Sequence, residues 1–239
     1  MAGTGETSPA GAPGDRLDAA RTRGVLLILS VTALMVTYVE TMIIPGLTKF
    51  QSFYGNAPLT SVTWILSAYL LVGVAVTPIA GKLGDIYGKK RVLIGILAVY
   101  FVAVTLAGFS PNLGDAIGMS RPNELYLLIG IRAVQGVGMA MFPLAFALIG
   151  EEFPKQQVAT AQGIVSAMFS AGASIGLFGG AWITQQFGWQ VTYHTVIPIA
   201  LIVLVLTVIY LQESRVRLRQ AIDVPGSVFL AGAIAFFLL

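Results

Sequence analysis

Six long apolar runs, at 25–47, 59–80, 92–109, 125–149, 158–183 and 191–211, decide most of what this chain can fold into. A helix crosses a bilayer with about 20 mostly apolar residues. Nothing in the runs reads as a strand, and inside hydrocarbon a helix satisfies its own backbone polar groups. The expected class is therefore an all-α membrane protein with a six-helix bundle. Composition agrees: 10% of residues are charged and the mean hydropathy is +0.83, whereas a soluble domain carries about 25% charged residues.

The segments around the runs divide the chain further. Residues 1–24 are rich in Gly, Ala, Pro, Ser and Thr and read as a disordered cytoplasmic tail. The apolar run behind them is too long for the core of a signal peptide, and nothing in the tail resembles a nucleic-acid-binding arm. Residues 25–211 form the six-span bundle and 212–223 a cytoplasmic loop. A seventh span starts near Val224, beside Pro225, and stops at Leu239, short of a full crossing. The expectation is the N-terminal part of a longer protein. The chain has no Cys and one His, which excludes disulfides, thiolate metal sites and multi-histidine metal centres.

The basic residues orient the bundle. Of the 14 Lys and Arg, only Lys49 and Arg121 fall opposite the tail, and Arg132 lies within a run. The remainder share the tail's side, so the positive-inside rule places the N-terminus in the cytoplasm of a multi-pass cell-membrane protein. Trp189 and Tyr193 then sit at an outer interface. Arg215, Arg217 and Arg219 serve as topology determinants that can touch anionic lipid.

Glu40 and Arg132 are the ionisable residues inside runs, and a charge at that depth is costly unless paired or hydrated. Gln135 and Gly136 follow Arg132 at i+3 and i+4 on one helix face. Gly136 and Ala140 allow a close helix neighbour, as do Gly172, Gly176 and Gly180, which form a stripe without side chains. The stripe contains G-x-S-x-G around Ser174, with His194 in the next run. That pattern raises an intramembrane serine hydrolase as a remote reading, although a nucleophile elbow requires a strand-to-helix turn. Pro78, Pro143 and Pro198 are expected to kink their helices. Between the second and third runs, GKLGDIYGKKRV sets Lys82, Lys89, Lys90 and Arg91 beside Asp85 and the glycines Gly81, Gly84 and Gly88. The cations suit an inner loop, and the glycines suit a tight turn in close contact with a neighbour.

Residues 81–91 reproduce the G-x-L-a-D-r-x-G-r-k-x signature of the major facilitator superfamily, and Arg132-Ala-Val-Gln-Gly-Val-Gly138 matches its R-x-x-q-G-x-g signature. Segments 187–201 and 223–232 resemble the sixth- and seventh-span openings of its fourteen-span drug:proton antiporters. The chain thus resembles the N-terminal half of such a transporter. Leu177 stands where the antiporter signature has proline, Gly179-Gly180 comes one residue early, and Glu40-Thr41 replaces a first-span aspartate. The resemblance implies two inverted three-helix repeats, a small-molecule substrate held near midplane, and a second bundle as partner. It implies protons rather than a cofactor or metal as the energy source. Arg132 with Gln135 would shape the proton pathway, Glu40 would titrate or meet a lipophilic cation, and the 81–91 loop would latch the bundles. Symport or nutrient uptake on the same fold, and a non-transporting receptor or scaffold, are the alternatives.

Overall fold

A computed structural model of the chain describes residues 13–213 and the isolated positions 229, 232, 233 and 236. The expected seventh span and Arg215, Arg217 and Arg219 therefore lie outside the described residues. Among them the helices are α1 (Pro13–Thr41), α2 (Leu47–Phe53), α3 (Leu59–Tyr87), α4 (Lys89–Gly108), α5 (Ser110–Ala116), α6 (Arg121–Gln135), α7 (Met141–Glu152), α8 (Lys155–Phe187) and α9 (Trp189–Tyr210). Six continuous segments are long and apolar enough to cross a membrane: Ala20–Phe53, Leu59–Tyr87, Lys89–Gly108, Arg121–Glu152, Lys155–Phe187 and Trp189–Tyr210. The chain is a multi-pass membrane protein.

Several boundaries differ from the sequence reading. The first helix starts at Pro13, inside the segment read as a disordered tail. Proline suits a first helical position. The expected loop at 81–91 is not a loop. Helix α3 runs through Gly81, Gly84 and Asp85 to Tyr87, and α4 starts at Lys89. The whole corner is Gly88, at φ 106°, a region open mainly to glycine. Gly188, at φ 91°, makes the matching corner between α8 and α9. The fourth crossing is interrupted by a 3₁₀ turn at Gly136–Ala140, where two glycines weaken the α-helix. Pro143 consequently stands in the first turn of α7 and breaks no hydrogen bond there, whereas Pro78 and Pro198 are interior.

The crossings pair in a pattern with internal symmetry. The first packs chiefly on the fifth, the second on the fourth, and the sixth on the third. Exchanging the first three crossings with the last three maps the first pairing onto the second and the third onto itself, as inverted repeats require. At one end, α2, α5 and the start of α9 close the bundle with Phe50, Phe53 and Tyr54 around Trp189, at ring separations of 4.6, 5.5 and 6.0 Å. At the other end lie Arg21, Lys89, Glu151, Glu152 and Glu213, in ion pairs.

Candidate functional site

Arg132 lies in the last turn of α6, just before the 3₁₀ turn, and is fully buried. Its Nε donates to the Ile65 carbonyl at 3.2 Å and its Nη1 to Gln135 Oε1 at 2.8 Å. The guanidinium lies 4.3 Å from the Tyr69 ring centroid, a cation–π contact. The close approach this needs comes from glycine. A Cβ on Gly136 would stand 2.3 Å from the Tyr69 carbonyl oxygen, and one on Gly138 would stand 2.5 Å from the Tyr100 ring. Arg132 Nη2 and Gln135 Nε2 remain buried without a hydrogen-bond partner.

Glu40 occupies the last turn of α1, half-buried, on the wall of a cavity of about 460 Å³. Thr32, Ala33 and Val36 of α1, Val74, Thr77 and Pro78 of α3, Met139, Met141, Phe142, Pro143 and Ala145 of the fourth crossing, and Phe169 of α8 complete the lining. Among these described residues Glu40 is the sole ionisable one. It stands within the electrostatic reach of Arg132. An apolar, aromatic-lined hollow with one acid suits a flat, greasy molecule carrying positive charge.

The segment 81–91 divides by position. Asp85 accepts from Lys89 Nζ at 2.8 Å, and Lys89 also reaches Glu151 Oε1 on α7 at 2.6 Å, with its own side chain only 8% exposed. Asp85 is thus paired within the bundle. Arg91 Nε meets Glu213 Oε2 at 3.1 Å, and Lys90 Nζ donates to the Val208 carbonyl at 2.8 Å, so both hold the end of α9. Gly84 packs on Leu144 and Gly88 on Glu213, whereas Gly81 has open space around it.

The glycine stripe on α8 lies against the backbone of α1. A Cβ on Gly172, Gly176 or Gly180 would stand 2.3, 2.1 or 2.6 Å from Leu34, Thr41 or Met42 respectively. Thr37 and Thr41 hydroxyls reach across this seam to the Phe169 and Ala173 carbonyls at 2.8 and 2.9 Å. Ser174 points elsewhere. It is exposed, and its hydroxyl donates to the Ser170 carbonyl of its own helix at 3.1 Å. His194 stacks on Phe109 at 4.7 Å. Ser174 sits mid-helix with no elbow, which overturns the hydrolase reading.

Sequence reasoning passed over Glu124, Glu151 and three buried tyrosines, Tyr54, Tyr69 and Tyr100, and it set Tyr193 with Trp189 at an outer interface, whereas both are buried inside the bundle. Glu124 is fully buried at the start of α6, and its Oε2 accepts from Arg121 Nη1 at 2.7 Å. Arg121 also pairs with Asp115 at 3.2 Å and lies 5.0 Å from the Phe53 ring centroid. The available signal was the i, i+3 spacing of Arg121 and Glu124 behind Pro122.

Residues 27–238 match the family model described as Major Facilitator Superfamily. Among curated proteins, the chain is 29% identical over 215 residues to Multidrug resistance protein 3 of Bacillus subtilis, covering 88% of this chain and 38% of that protein. It is 30% identical over 211 residues to the Tetracenomycin C resistance and export protein of Streptomyces glaucescens, covering 87% and 37%. The chain therefore spans well under half the length of these relatives. Among solved structures, the inward-open xylose transporter XylE of E. coli superimposes with TM-score 0.69 at 15% identity, over 91% of this chain and 56% of that one. The human organic anion transporter MFSD10 gives TM-score 0.64 at 16% identity, over 90% and 54%.

Proposed function

Because the chain belongs to the Major Facilitator Superfamily, we propose that it supplies one six-helix half of a carrier that exports lipophilic or cationic small molecules in exchange for protons. The observation that carries this reading is the apolar cavity with Glu40 on its wall and Arg132 buried behind it. Relatives named for multidrug resistance and tetracenomycin export support the substrate class. A second bundle faces the cavity and completes the site near midplane, and alternate rocking of the two opens it to either side. The carrier works in the cell membrane with its N-terminus in the cytoplasm, and a proton gradient rather than a cofactor drives it.

In the same reading each residue takes a role, supported by its place in the site. Glu40 exchanges a proton for the substrate's positive charge, since one carboxylate cannot hold both. Arg132 is a fixed cation that favours the ionised form of nearby acids, and Gln135 fixes its guanidinium. Asp85, paired with Lys89 yet partly exposed, is assigned in this reading to a latch that holds one state against the second bundle.

Proton-driven accumulation of a lipophilic cationic dye in everted vesicles, from the complete reading frame, checks the assignment. Glu40→Gln and Arg132→Ala are each expected to abolish the proton-dependent component. Wild-type accumulation in either variant removes that residue from the mechanism. Symport on the same fold draws support from Leu177, which stands where the antiporter signature has proline. Dye moving with the imposed proton gradient rather than against it would establish symport.

A further inference from the structure

Most of the cavity wall around Glu40 is fixed. Thr32 and Thr77 donate their hydroxyls to the Ile28 and Gly73 carbonyls, each at 2.7 Å. Phe142 stacks on Phe146 and Phe169, at ring separations of 4.5 and 4.8 Å. Prolines and valines supply much of the rest, and neither type has a soft side chain. Met141 lies fully buried in the core. Among the described apolar lining residues, Met139 is the exception. Its side chain is half-buried, unbranched and flexible, the property that lets methionine fill irregular gaps.

Behind Met139 lies a slot. Its thioether occupies the place of the side chain that Gly73 of α3 lacks, since a Cβ there would stand 2.7 Å from Met139 Cγ and closer still to Sδ. The backbone around the slot is locked. Gly136 lies against the Tyr69 carbonyl and the Gly73 nitrogen, and Gly138 lies against the Tyr100 ring. The 3₁₀ turn that carries Met139 is thus clamped between α3 and α4. On α3, Ile65, Tyr69, Gly73 and Thr77 follow one another at intervals of four, along one helix face. The first two hold Arg132, Gly73 seats Met139, and Thr77 lines the cavity. A clamped turn leaves the thioether as the part of this wall that can move.

We propose that Met139 sets how large a cation the cavity accepts, by entering or leaving the Gly73 slot, and that Gly73 governs selectivity through it. The selection rests on the lipophilic-cation reading above and adds the residue that adjusts the site to its substrate. Gly73 is not itself among the lining residues. A methyl group there would nevertheless expel the thioether from its slot and into the space the substrate needs. A single methylene in an apolar pocket changes selection by about 10-fold or more, and the thioether is larger than that.

The test measures equilibrium binding of two phosphonium ions of equal charge to the complete transporter in detergent. The ions are methyltriphenylphosphonium and the bulkier tetraphenylphosphonium. The readout is the ratio of their dissociation constants, which cancels any loss of affinity common to both. Met139→Ala is expected to shift the ratio about 10-fold toward the bulkier ion. Gly73→Ala is expected to shift it toward the smaller one. With both substitutions together, the ratio is expected to match that of Met139→Ala alone, because nothing remains to be expelled. Met139→Leu, branched at Cγ, cannot thread the slot and is expected to act as Gly73→Ala does. It tests the slot even where Gly73→Ala fails to assemble. A wild-type ratio in Met139→Ala overturns the selection. A Gly73→Ala shift that survives removal of Met139, or a wild-type ratio in Met139→Leu, overturns the slot. Wild-type protein that binds neither ion overturns the lipophilic-cation reading itself, and the selection with it.

Discussion

Gly176 admits no side chain, since a Cβ there would meet Thr41 Oγ1 at 2.1 Å and the Tyr38 carbonyl oxygen at 2.6 Å. Backbone cannot yield as a flexible side chain can, so Gly176→Val is expected to destabilise the bundle by about 1–3 kcal/mol, the usual cost of overpacking. Gly179 provides the control. Its Cβ would meet only Ile175, at 3.8 Å, and Gly179→Ala should stay within about 0.5 kcal/mol of the parent. Thermal unfolding in detergent, with both variants side by side, reads the difference. The stripe was legible in the sequence because glycine recurs every four residues, at 172, 176 and 180. Arg132 was legible because a cation in an apolar run has few cheap explanations. Glu124 was not, because an acid at a helix start is ordinary, and only the fold shows that α5 and the Tyr54 corner cover it. The tyrosines were hidden for a similar reason. A phenol in an apolar run reads as packing until its hydroxyl is found without a partner.

Helices α3 and α4 meet at one residue, and the strain of that corner is borne by glycine. Gly88→Ala combines an unfavourable φ of 106° with a Cβ 2.1 Å from Glu213 Oε1. The backbone contribution alone is expected to cost about 1–3 kcal/mol, whereas Gly95→Ala, with nothing within 4 Å, should be silent. Denaturant or thermal midpoints check the pair. Across the corner, Lys89 bonds both Asp85 and Glu151. A double-mutant cycle with Asp85→Asn and Glu151→Gln should therefore be non-additive, with an interaction of about 0.5–3 kcal/mol. Element identity was readable from run length, yet element ends were not. Apolar length reports what lies in hydrocarbon, whereas the helix continues until its hydrogen bonds stop. Lys82 and Asp85 are good enough helix residues to carry α3 past the apolar run as far as Gly88.

The proposed orientation of the molecule can be tested directly, because the chain contains no cysteine. Lys82→Cys and Lys49→Cys place single thiols toward opposite ends of the bundle. In intact cells a membrane-impermeant maleimide is expected to label Lys49→Cys and to spare Lys82→Cys until the membrane is opened; the reverse pattern inverts the orientation. Charge asymmetry carries this prediction, and it was visible before any helix was placed. The pairing of first crossing with fifth and second with fourth was not visible, since it depends on contacts between residues far apart in sequence, 132 positions for Thr37 with Phe169 and 67 for Ile65 with Arg132. The seam between α1 and α8 has a mechanical meaning. Two helices that touch through glycine, threonine and bare carbonyls have almost no rotamers to slip between them. A push on Glu40 cannot be absorbed by side chains sliding past one another, and it passes from one repeat to the other as torque. In the proposed rocking motion the six crossings are therefore expected to turn as one stiff lever, with the compliance at the border where the cavity opens.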